Sequence, residues 1–218
     1  MKNKKYAAEI VGRLKEIYPD AICSLEYNGD PWRLLVMGRL SAQCTDARVN
    51  LVTPALFDRY PTTEAFSRAD VKDVEELIHS CGFFRAKASN IKECCRIMVE
   101  EYGGRVPADR EVLLTFPGVG RKVANLLLGD LYGLPAGVCD THCIRICGRL
   151  GMYSEREKNP LKVEKILREL LDLKEGSDFC HRIVIFGREI CTARSPKCDS
   201  CPISELCESY IKRGGRNG

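Results

Sequence analysis

Four cysteines near the C-terminal end carry the clearest chemical signal in this sequence. The segment reads CTARSPKCDSCPISELC, and its cysteines Cys191, Cys198, Cys201 and Cys207 are separated by six, two and five residues. Four thiolates in so short a segment can hold zinc or an iron–sulfur cluster, because both accept a shell made only of cysteine. A short polar segment has no core of its own in which to bury four thiols. The spacing therefore predicts a metal centre and leaves zinc and iron–sulfur open.

A lysine that follows a glycine-rich turn is the second candidate. The segment DREVLLTFPGVGRKVANLLLGD predicts two helices joined by a turn, in which Gly118 and Gly120 permit a backbone that bulkier residues resist. The N–H groups at the start of the second helix would bind an anion such as a DNA phosphate. Lys122 lies in that first turn, where the helix dipole disfavours an ammonium. A neutral amine could form a Schiff base, and a solvated or phosphate-pairing lysine is the alternative.

An aspartate at a helix start is the third candidate. Asp140 lies in the segment GVCDTHCIRICGRLG, where it is predicted to be the N-cap of the next helix. A carboxylate held in this way would also be well oriented to stabilise positive charge developing on a sugar. The nearby Cys139, Cys143 and Cys147 could form a second metal site with His142, or could be small buried hydrophobes.

The elements that must position these groups are predicted to be helices. Apolar residues recur at spacings of three and four along several segments, and convincing alternating strands are absent from the sequence. Asp70 and Asp109 are predicted N-caps, and Pro160 falls at a first helical position. The predicted fold class is therefore all-α.

Composition narrows the class of protein. The chain has 218 residues, of which 44% are hydrophobic and 29% charged, as in ordinary globular proteins. No apolar run approaches the roughly 20 residues that a membrane-spanning helix needs. The net charge of +4 permits an anionic partner without demonstrating one. Thirteen cysteines cannot all pair within one chain, because the number is odd. The N-terminal segment lacks the continuous apolar stretch of a signal peptide. A reducing, cytoplasmic compartment is therefore expected.

Four segments taken together resemble a known family. LSAQCTD, FPGVGRKVANLLLGD, CDTHCIRICGRLG and the spacing of the last four cysteines are similar to the endonuclease III family, in the helix-hairpin-helix DNA glycosylase superfamily. The segments occur in the order and at the intervals of that family, and the resemblance covers nearly the whole chain. The hairpin alone is only moderately specific, whereas its combination with the lysine, the aspartate and the cysteines is very specific.

The resemblance implies a two-domain, all-helical architecture. A helical barrel domain would comprise residues 24–134, with the helix-hairpin-helix at about 109–131. Residues 135–218 would form an iron–sulfur domain that carries a [4Fe-4S] cluster. The helix within residues 1–23 would pack with that second domain.

The resemblance also implies an activity. Members of the family flip an oxidised pyrimidine out of duplex DNA, cleave its glycosidic bond and nick the abasic strand. Lys122 matches the Schiff-base lysine, Asp140 matches the catalytic aspartate, and Gln43 matches the residue that fills the space left by the flipped base. Phe83 aligns with a hydrophobic wedge, although a core aromatic is an equal alternative. The implied partner is double-stranded DNA with damaged bases or abasic sites, bound by a monomer that is associated with the nucleoid if the source is bacterial.

Contacts with DNA are expected from the hairpin and from the cysteine-rich loop. Lys87 and Arg85 are further candidates for contacts with the DNA backbone. The expected hairpin and loop contacts are Gly118, Val119, Gly120, Arg121, Arg194 and Lys197.

Some departures and alternatives remain open at this level. Arg39 stands where the family usually has an apolar residue, beside Gly38, and could either loosen its helix or place a cation near DNA. Cys44 and Cys139 also flank functional positions.

A purine- or mismatch-specific glycosylase that shares the fold is one alternative function. The adenine-excising relative lacks the hairpin lysine and has a glutamate before its glutamine. No glutamate occurs in this sequence between Trp32 and Thr45. A non-catalytic, metal-stabilised DNA-binding module is the other alternative.

Overall fold

The computed structural model of the chain describes residues 3–134, 136–137 and 139–215. Within these ranges the regular structure is helical and includes no β-strand, which confirms the predicted all-α class. No helix in these ranges is long and apolar enough to cross a membrane. The α-helices are α1 Lys4–Ile17, α2 Pro31–Leu40, α3 Asp46–Arg59, α4 Thr63–Ser67, α5 Val71–Leu77, α6 Phe84–Tyr102, α7 Arg110–Thr115, α8 Arg121–Tyr132, α9 Thr141–Leu150, α10 Pro160–Leu170, α11 Gly176–Glu189 and α12 Glu208–Lys212.

The chain divides into two compact units. Cys23–Tyr132 forms one unit, which we call the central unit. Met1–Ile22 and Gly133–Gly218 together form the other, which we call the terminal unit. The assignment of the central unit to a barrel domain and of the terminal unit to a cluster domain stays a prediction.

The core of the central unit is built around α2. Leu34, Leu35, Val36 and Met37 are four consecutive residues of this helix, and all are completely buried. A helix that is apolar on every side must be surrounded by other helices, and α2 contacts α3, α6 and α8. Helix α2, which leads into the loop with Gln43, and helix α8, which follows the hairpin, therefore pack against each other in this core.

The terminal unit is organised around α9 and α11. These two helices pack against each other, α12 packs on α9, and α1 packs on α10 and α11. The buried face of α9 consists of Cys143, Ile146, Cys147 and Leu150, at spacings of three and four residues. This helix follows Asp140 directly, so packing of the apolar face holds the candidate catalytic carboxylate in place.

The predicted helix starts are confirmed where they rest on local chemistry. The side chain of Asp70 accepts a hydrogen bond from the backbone N–H of Lys72, and Asp109 accepts one from Glu111 at 2.8 Å. Pro160 is the first residue of α10, which Asn159 caps. Such caps satisfy N–H groups that have no partner within the helix.

Candidate active site

The hairpin between α7 and α8 presents Lys122 at its surface. Gly118 has φ +72°, in the left-handed region that favours glycine. The following helix begins at Arg121, so Lys122 is its second residue, and its side chain is exposed. The first N–H groups of an α-helix have no carbonyl partner within the helix. The predicted helix start with an exposed amine in its first turn is therefore present, with Val119 buried and Gly120 exposed, and anion binding there stays a prediction.

Arg39 lies directly beneath this hairpin. A Cβ built on Gly118 would overlap the Arg39 guanidinium and the Asn90 side-chain amide, so a larger residue would displace these two side chains, and the φ angle is the firmer requirement for glycine. Helix α2 runs through Gly38 and Arg39 without interruption. A Cβ on Gly38 would lie 3.3 Å from Cγ1 of Val123, so this glycine allows α2 to approach α8 closely. The expectation of a loosened helix is wrong, and the alternative, that Arg39 places a cation near DNA, stays a prediction.

Asp140 is fixed at the start of α9, as predicted. Its Oδ1 accepts a hydrogen bond from the backbone N–H of Cys143 at 2.8 Å. Its Oδ2 lies 3.5 Å from Nδ1 of His142, and the side chain is only 13% exposed. The carboxylate is thus held in one orientation by the backbone of its own helix. The structure places this residue in the terminal unit and Lys122 in the central unit.

Gln43 and Phe83 share an unusual backbone conformation. Gln43 has φ 54° and Phe83 has φ 48°, and both side chains are exposed. A non-glycine residue in the left-handed region is uncommon, and such strain tends to occur at functional sites. The side chain of Phe83 is 69% exposed. The alternative that Phe83 is a core aromatic is therefore wrong.

Lys87 does not lie on the surface. It is only 1% exposed, and its Nζ donates hydrogen bonds to the backbone carbonyls of Leu40, at 2.8 Å, and Cys81, at 2.7 Å. The expectation that Lys87 contacts the DNA backbone is wrong, because this ammonium is already satisfied inside the unit. Arg85, by contrast, is exposed, and its guanidinium lies over the ring of Phe84.

The four cysteines of the C-terminal segment line one pocket. None of them is in a disulfide, and each is partly buried. Burial, and then the negative charge of the neighbouring thiols, raises the pKa of Cys201 to about 11. Four thiol groups brought together in this way are a donor set that zinc or an iron–sulfur cluster accepts. The cysteines on the wall of the pocket are Cys191, Cys198, Cys201 and Cys207.

Two arginines of α9 hold the start of this loop, and sequence reasoning missed both. Arg149 Nη1 donates to the carbonyl of Thr192 at 2.8 Å and to Sγ of Cys191 at 3.4 Å. Its Nη2 donates to the carbonyl of Ala193 at 2.9 Å. Arg145 Nη2 donates to the carbonyl of Cys191 at 3.0 Å. The four-residue spacing of the two arginines was the available signal, since it places them on one face of a helix.

The remaining cysteines around α9 behave as buried thiols. Cys143 and Cys147 lie 4.0 Å apart, sulfur to sulfur. Hydrogen bonds with neighbouring thiols, that of Cys139 first, hold the pKa of Cys143 well above its usual range. Cys143 and Cys147 are both buried in the packed face of α9, which favours the interpretation as small hydrophobes. His142 lies beside Asp140 instead.

The basic residues expected at DNA are exposed. Arg194 and Lys197 both lie on the surface of the cysteine-rich loop, and Arg121 lies on the surface of the hairpin. Exposure permits contact with phosphates, and their role in binding stays a prediction.

Comparison with known proteins places these features in one family. Residues 36–172 match the model for the HhH-GPD superfamily of base excision DNA repair proteins. Residues 191–207 match the model for the iron-sulfur binding domain of endonuclease III. The endonuclease III of Synechocystis sp. is 48% identical over 207 residues, which cover 94% of this chain and 93% of that protein.

The chain belongs to the endonuclease III family. A solved non-covalent complex of endonuclease III with DNA has a TM-score of 0.90 and 40% identity, and covers 98% of this chain and 99% of that one. A trapped covalent intermediate of endonuclease III with DNA matches with the same TM-score and identity, over 98% of this chain and 100% of that one.

Membership of the endonuclease III family settles several expectations. The protein is a base excision repair enzyme, a DNA glycosylase with abasic-site lyase activity. Its cofactor is a [4Fe-4S] cluster, which decides the choice between zinc and iron–sulfur. The alternative of a non-catalytic DNA-binding module is thereby excluded.

Proposed function

We propose that the protein removes oxidised pyrimidines from duplex DNA and then cleaves the abasic strand, with Lys122 as the nucleophile and Asp140 as the electrostatic partner. The observation that carries this proposal is the exposed amine of Lys122 in the first turn of α8. That position combines a nucleophile with backbone N–H groups able to hold a phosphate beside it.

The proposed reaction begins at the anomeric carbon of the damaged nucleotide. The lone pair of the neutral Lys122 amine forms a bond to C1′ as the bond from C1′ to the base breaks. The base leaves with that electron pair and takes up a proton. The attached nitrogen loses a proton, the bond between C1′ and O4′ breaks and O4′ takes up a proton, so the sugar ring opens to a protonated imine and a 4′-hydroxyl. Loss of a proton from C2′ then expels the 3′ phosphate by β-elimination, because the imine accepts the electrons.

Asp140 supports the step in which the base leaves. Positive charge develops on the sugar at that point, and a fixed carboxylate stabilises it without reorganising. The hydrogen bond to the backbone of Cys143 supplies the fixed orientation. The same carboxylate could also accept a proton from the attacking amine.

Gln43 and Phe83 are proposed to occupy the duplex once the base has left its stack. Both side chains are exposed on strained backbone, and one is polar while the other is a large apolar wedge. Contacts of this kind offset the free energy that unstacking costs.

The C-terminal loop is proposed to contact phosphates through Arg194 and Lys197. The four cysteine ligands, Cys191, Cys198, Cys201 and Cys207, cross-link this loop when the cluster is bound, and Arg149 holds its first residues. No step of the proposed reaction transfers an electron, so the loop has a structural role.

A trapping experiment tests the proposed nucleophile. Borohydride reduces an imine between protein and abasic DNA to a stable covalent complex, so Lys122→Gln should abolish that complex. Binding to an abasic-site duplex should largely survive, because the hairpin N–H groups remain. Lys72→Gln is the matched control, since Lys72 is also an exposed second residue of a helix. Trapping that persists in Lys122→Gln would identify another amine as the nucleophile.

A panel of duplexes tests the proposed substrate. Each duplex carries one lesion, either an oxidised pyrimidine, an oxidised purine or a mismatched adenine. Excision of the oxidised pyrimidine is expected to be fastest. Faster excision of either purine would instead support the purine- or mismatch-specific alternative.

The protein is proposed to act as a monomer in the cytoplasm, at the nucleoid if its source is bacterial. None of the thirteen cysteines, all of which lie in the described ranges, is paired in a disulfide, which suits a reducing compartment. Sedimentation of the protein with and without duplex DNA tests the monomeric state.

A further inference from the structure

A single buried ammonium joins the ends of two helical segments in the central unit. Nζ of Lys87 donates to the carbonyl of Leu40, the last residue of α2, and to that of Cys81, the last residue of a short 3-10 helix, His79–Cys81. Carbonyls at helix ends carry partial negative charge. They therefore stabilise the charged amine, although burial lowers the pKa of Lys87.

The two helical segments lead into Gln43 and Phe83, two of the three non-glycine residues with positive φ in the described ranges, the third being Asn28. Gln43 follows Leu40 by three residues, and Phe83 follows Cys81 by two. Residues in the left-handed region persist only where the surrounding structure determines their conformation. The hydrogen bonds of Lys87 fix the backbone immediately before each of them.

The geometry points to Lys87 as a positioning residue that sets the separation of Gln43 and Phe83. This inference rests on the proposed function, in which both side chains enter the duplex at the flipped nucleotide. Base pairs are stacked about 3.4 Å apart along each strand, so two side chains that enter one site tolerate little error in their spacing. Lys87 touches neither substrate nor reacting atoms in this scheme and acts only through the two loops.

The variant Lys87→Met tests the inference, since it retains length and burial but removes the donors. Excision of an oxidised pyrimidine from a duplex should fall by roughly ten- to a hundredfold, as expected for a displacement near 1 Å. Cleavage of a single-stranded abasic oligonucleotide needs no extrusion from a stack and should stay within about threefold of the parent protein. A 2-aminopurine placed beside the lesion becomes more fluorescent when the base unstacks. This increase should be absent in Lys87→Met if extrusion of the base is impaired.

A second variant, Lys87→Arg, tests the inference even if Lys87→Met fails to fold. It keeps a cation and several donors but cannot reproduce the length of the lysine, so the two helix ends should shift. Excision from duplex DNA should again fall more than cleavage of the single-stranded substrate, but by a smaller factor than in Lys87→Met. The matched control is Arg182→Met in the terminal unit, which removes another buried cation, 2% exposed, that pairs with Glu175 at 3.0 Å. That control should lower the melting temperature without changing the ratio of duplex to single-strand activity.

Parallel variants separate the failure of this inference from the failure of the proposed function. If Gln43→Ala and Phe83→Ala leave duplex excision intact, the proposed role of the two side chains fails. If those variants lower duplex excision while both Lys87 variants retain it, the positioning role alone is overturned. Equal losses on duplex and single-stranded substrates in both Lys87 variants would also overturn it, because they indicate a purely structural lysine.

Discussion

Oδ1 of Asp140 accepts the backbone N–H of Cys143 at 2.8 Å, so the proposed catalytic carboxylate is also the cap of its own helix. Capping and catalysis need not compete for this side chain, because a carboxylate retains further lone pairs after one hydrogen bond. The cap restrains the rotation of the carboxylate and leaves its negative charge in place.

The variant Asp140→Asn should separate these two roles. The amide keeps the capping oxygen, so the free energy of unfolding should change by less than about 0.5 kcal/mol. Excision should fall by roughly a hundred- to a thousandfold, because the negative charge is lost. Single-turnover kinetics and thermal denaturation measure the two effects. The control Asp70→Asn changes another helix cap and should leave the excision rate and the free energy of unfolding unchanged. If Asp140→Asn loses stability and activity to the same extent, Asp140 acts only as a cap.

The variant Phe83→Ala should lower duplex excision without affecting the fold. Its side chain is 69% exposed, so little packing is lost on truncation. Excision is expected to fall about tenfold or more, because the wedge offsets an unstacking cost of a few kcal/mol. The neighbouring Phe84→Ala is the matched control, since that ring packs 4.5 Å from His79 and its loss should lower the melting temperature.

A further variant, Phe83→Gly, tests the strained backbone directly. Glycine adopts φ 48° without steric cost. The melting temperature of Phe83→Gly should therefore be no lower than that of Phe83→Ala, while excision should be just as impaired. A melting temperature well below that of the alanine variant would contradict the assignment of strain to this residue.

Replacement of one cluster ligand should unfold the C-terminal loop. The purified protein should be yellow-brown, with iron and acid-labile sulfide in equal amounts. The variant Cys198→Ser should lose most of both and show a lower melting temperature, because metal binding and folding are coupled in such a segment. Cys23→Ser changes a thiol of the other unit and should keep its colour. A colourless, zinc-loaded and fully active protein is the result that speaks against the assignment.

The variant Arg39→Leu should weaken the binding of DNA in a salt-dependent way. The Arg39 guanidinium lies beneath Gly118, and its Nε has no hydrogen-bond partner in the described part of the chain. If this charge attracts a phosphate to the hairpin, the slope of log K against log salt should decrease in magnitude by about 0.9. Arg33→Leu removes a cation of the same helix that lies 3.5 Å from Asp30, and should leave the slope unchanged. If the slope of log K against log salt is unchanged in Arg39→Leu while the free energy of unfolding falls, Arg39 contributes to packing and not to the binding of DNA.

The parts of the fold that depend on neighbouring residues could be predicted from the sequence. The caps at Asp70, Asp109 and Asp140 each use a hydrogen bond to an N–H group two or three residues away, so the local pattern is sufficient. The all-α class follows in the same way from the spacing of apolar residues.

The features that sequence reasoning missed all depend on contacts between distant segments. The burial of Lys87 is decided by carbonyls 47 and 6 residues away, and a lysine is ordinarily expected at the surface. The position of Arg39 beneath Gly118 likewise joins two helices that are far apart in the chain. Phe83 was undecided for a different reason, because a wedge and a core aromatic have the same sequence signature and differ only in exposure.

The composition of the terminal unit has a consequence for how the protein is made. Helix α1 packs on α10 and α11, yet the whole central unit is encoded between them. A ribosome that adds about 5–20 residues per second needs roughly ten to thirty seconds to pass from Ile22 to the end of α11. Until α10 has been made, the apolar face of α1, with Ile10 and Leu14, lacks both of these neighbours, and until the end of α11 it lacks one of them. The residues of the central unit are therefore all synthesised before the N-terminal helix can complete its packing, so the two units are expected to fold in the order central, then terminal.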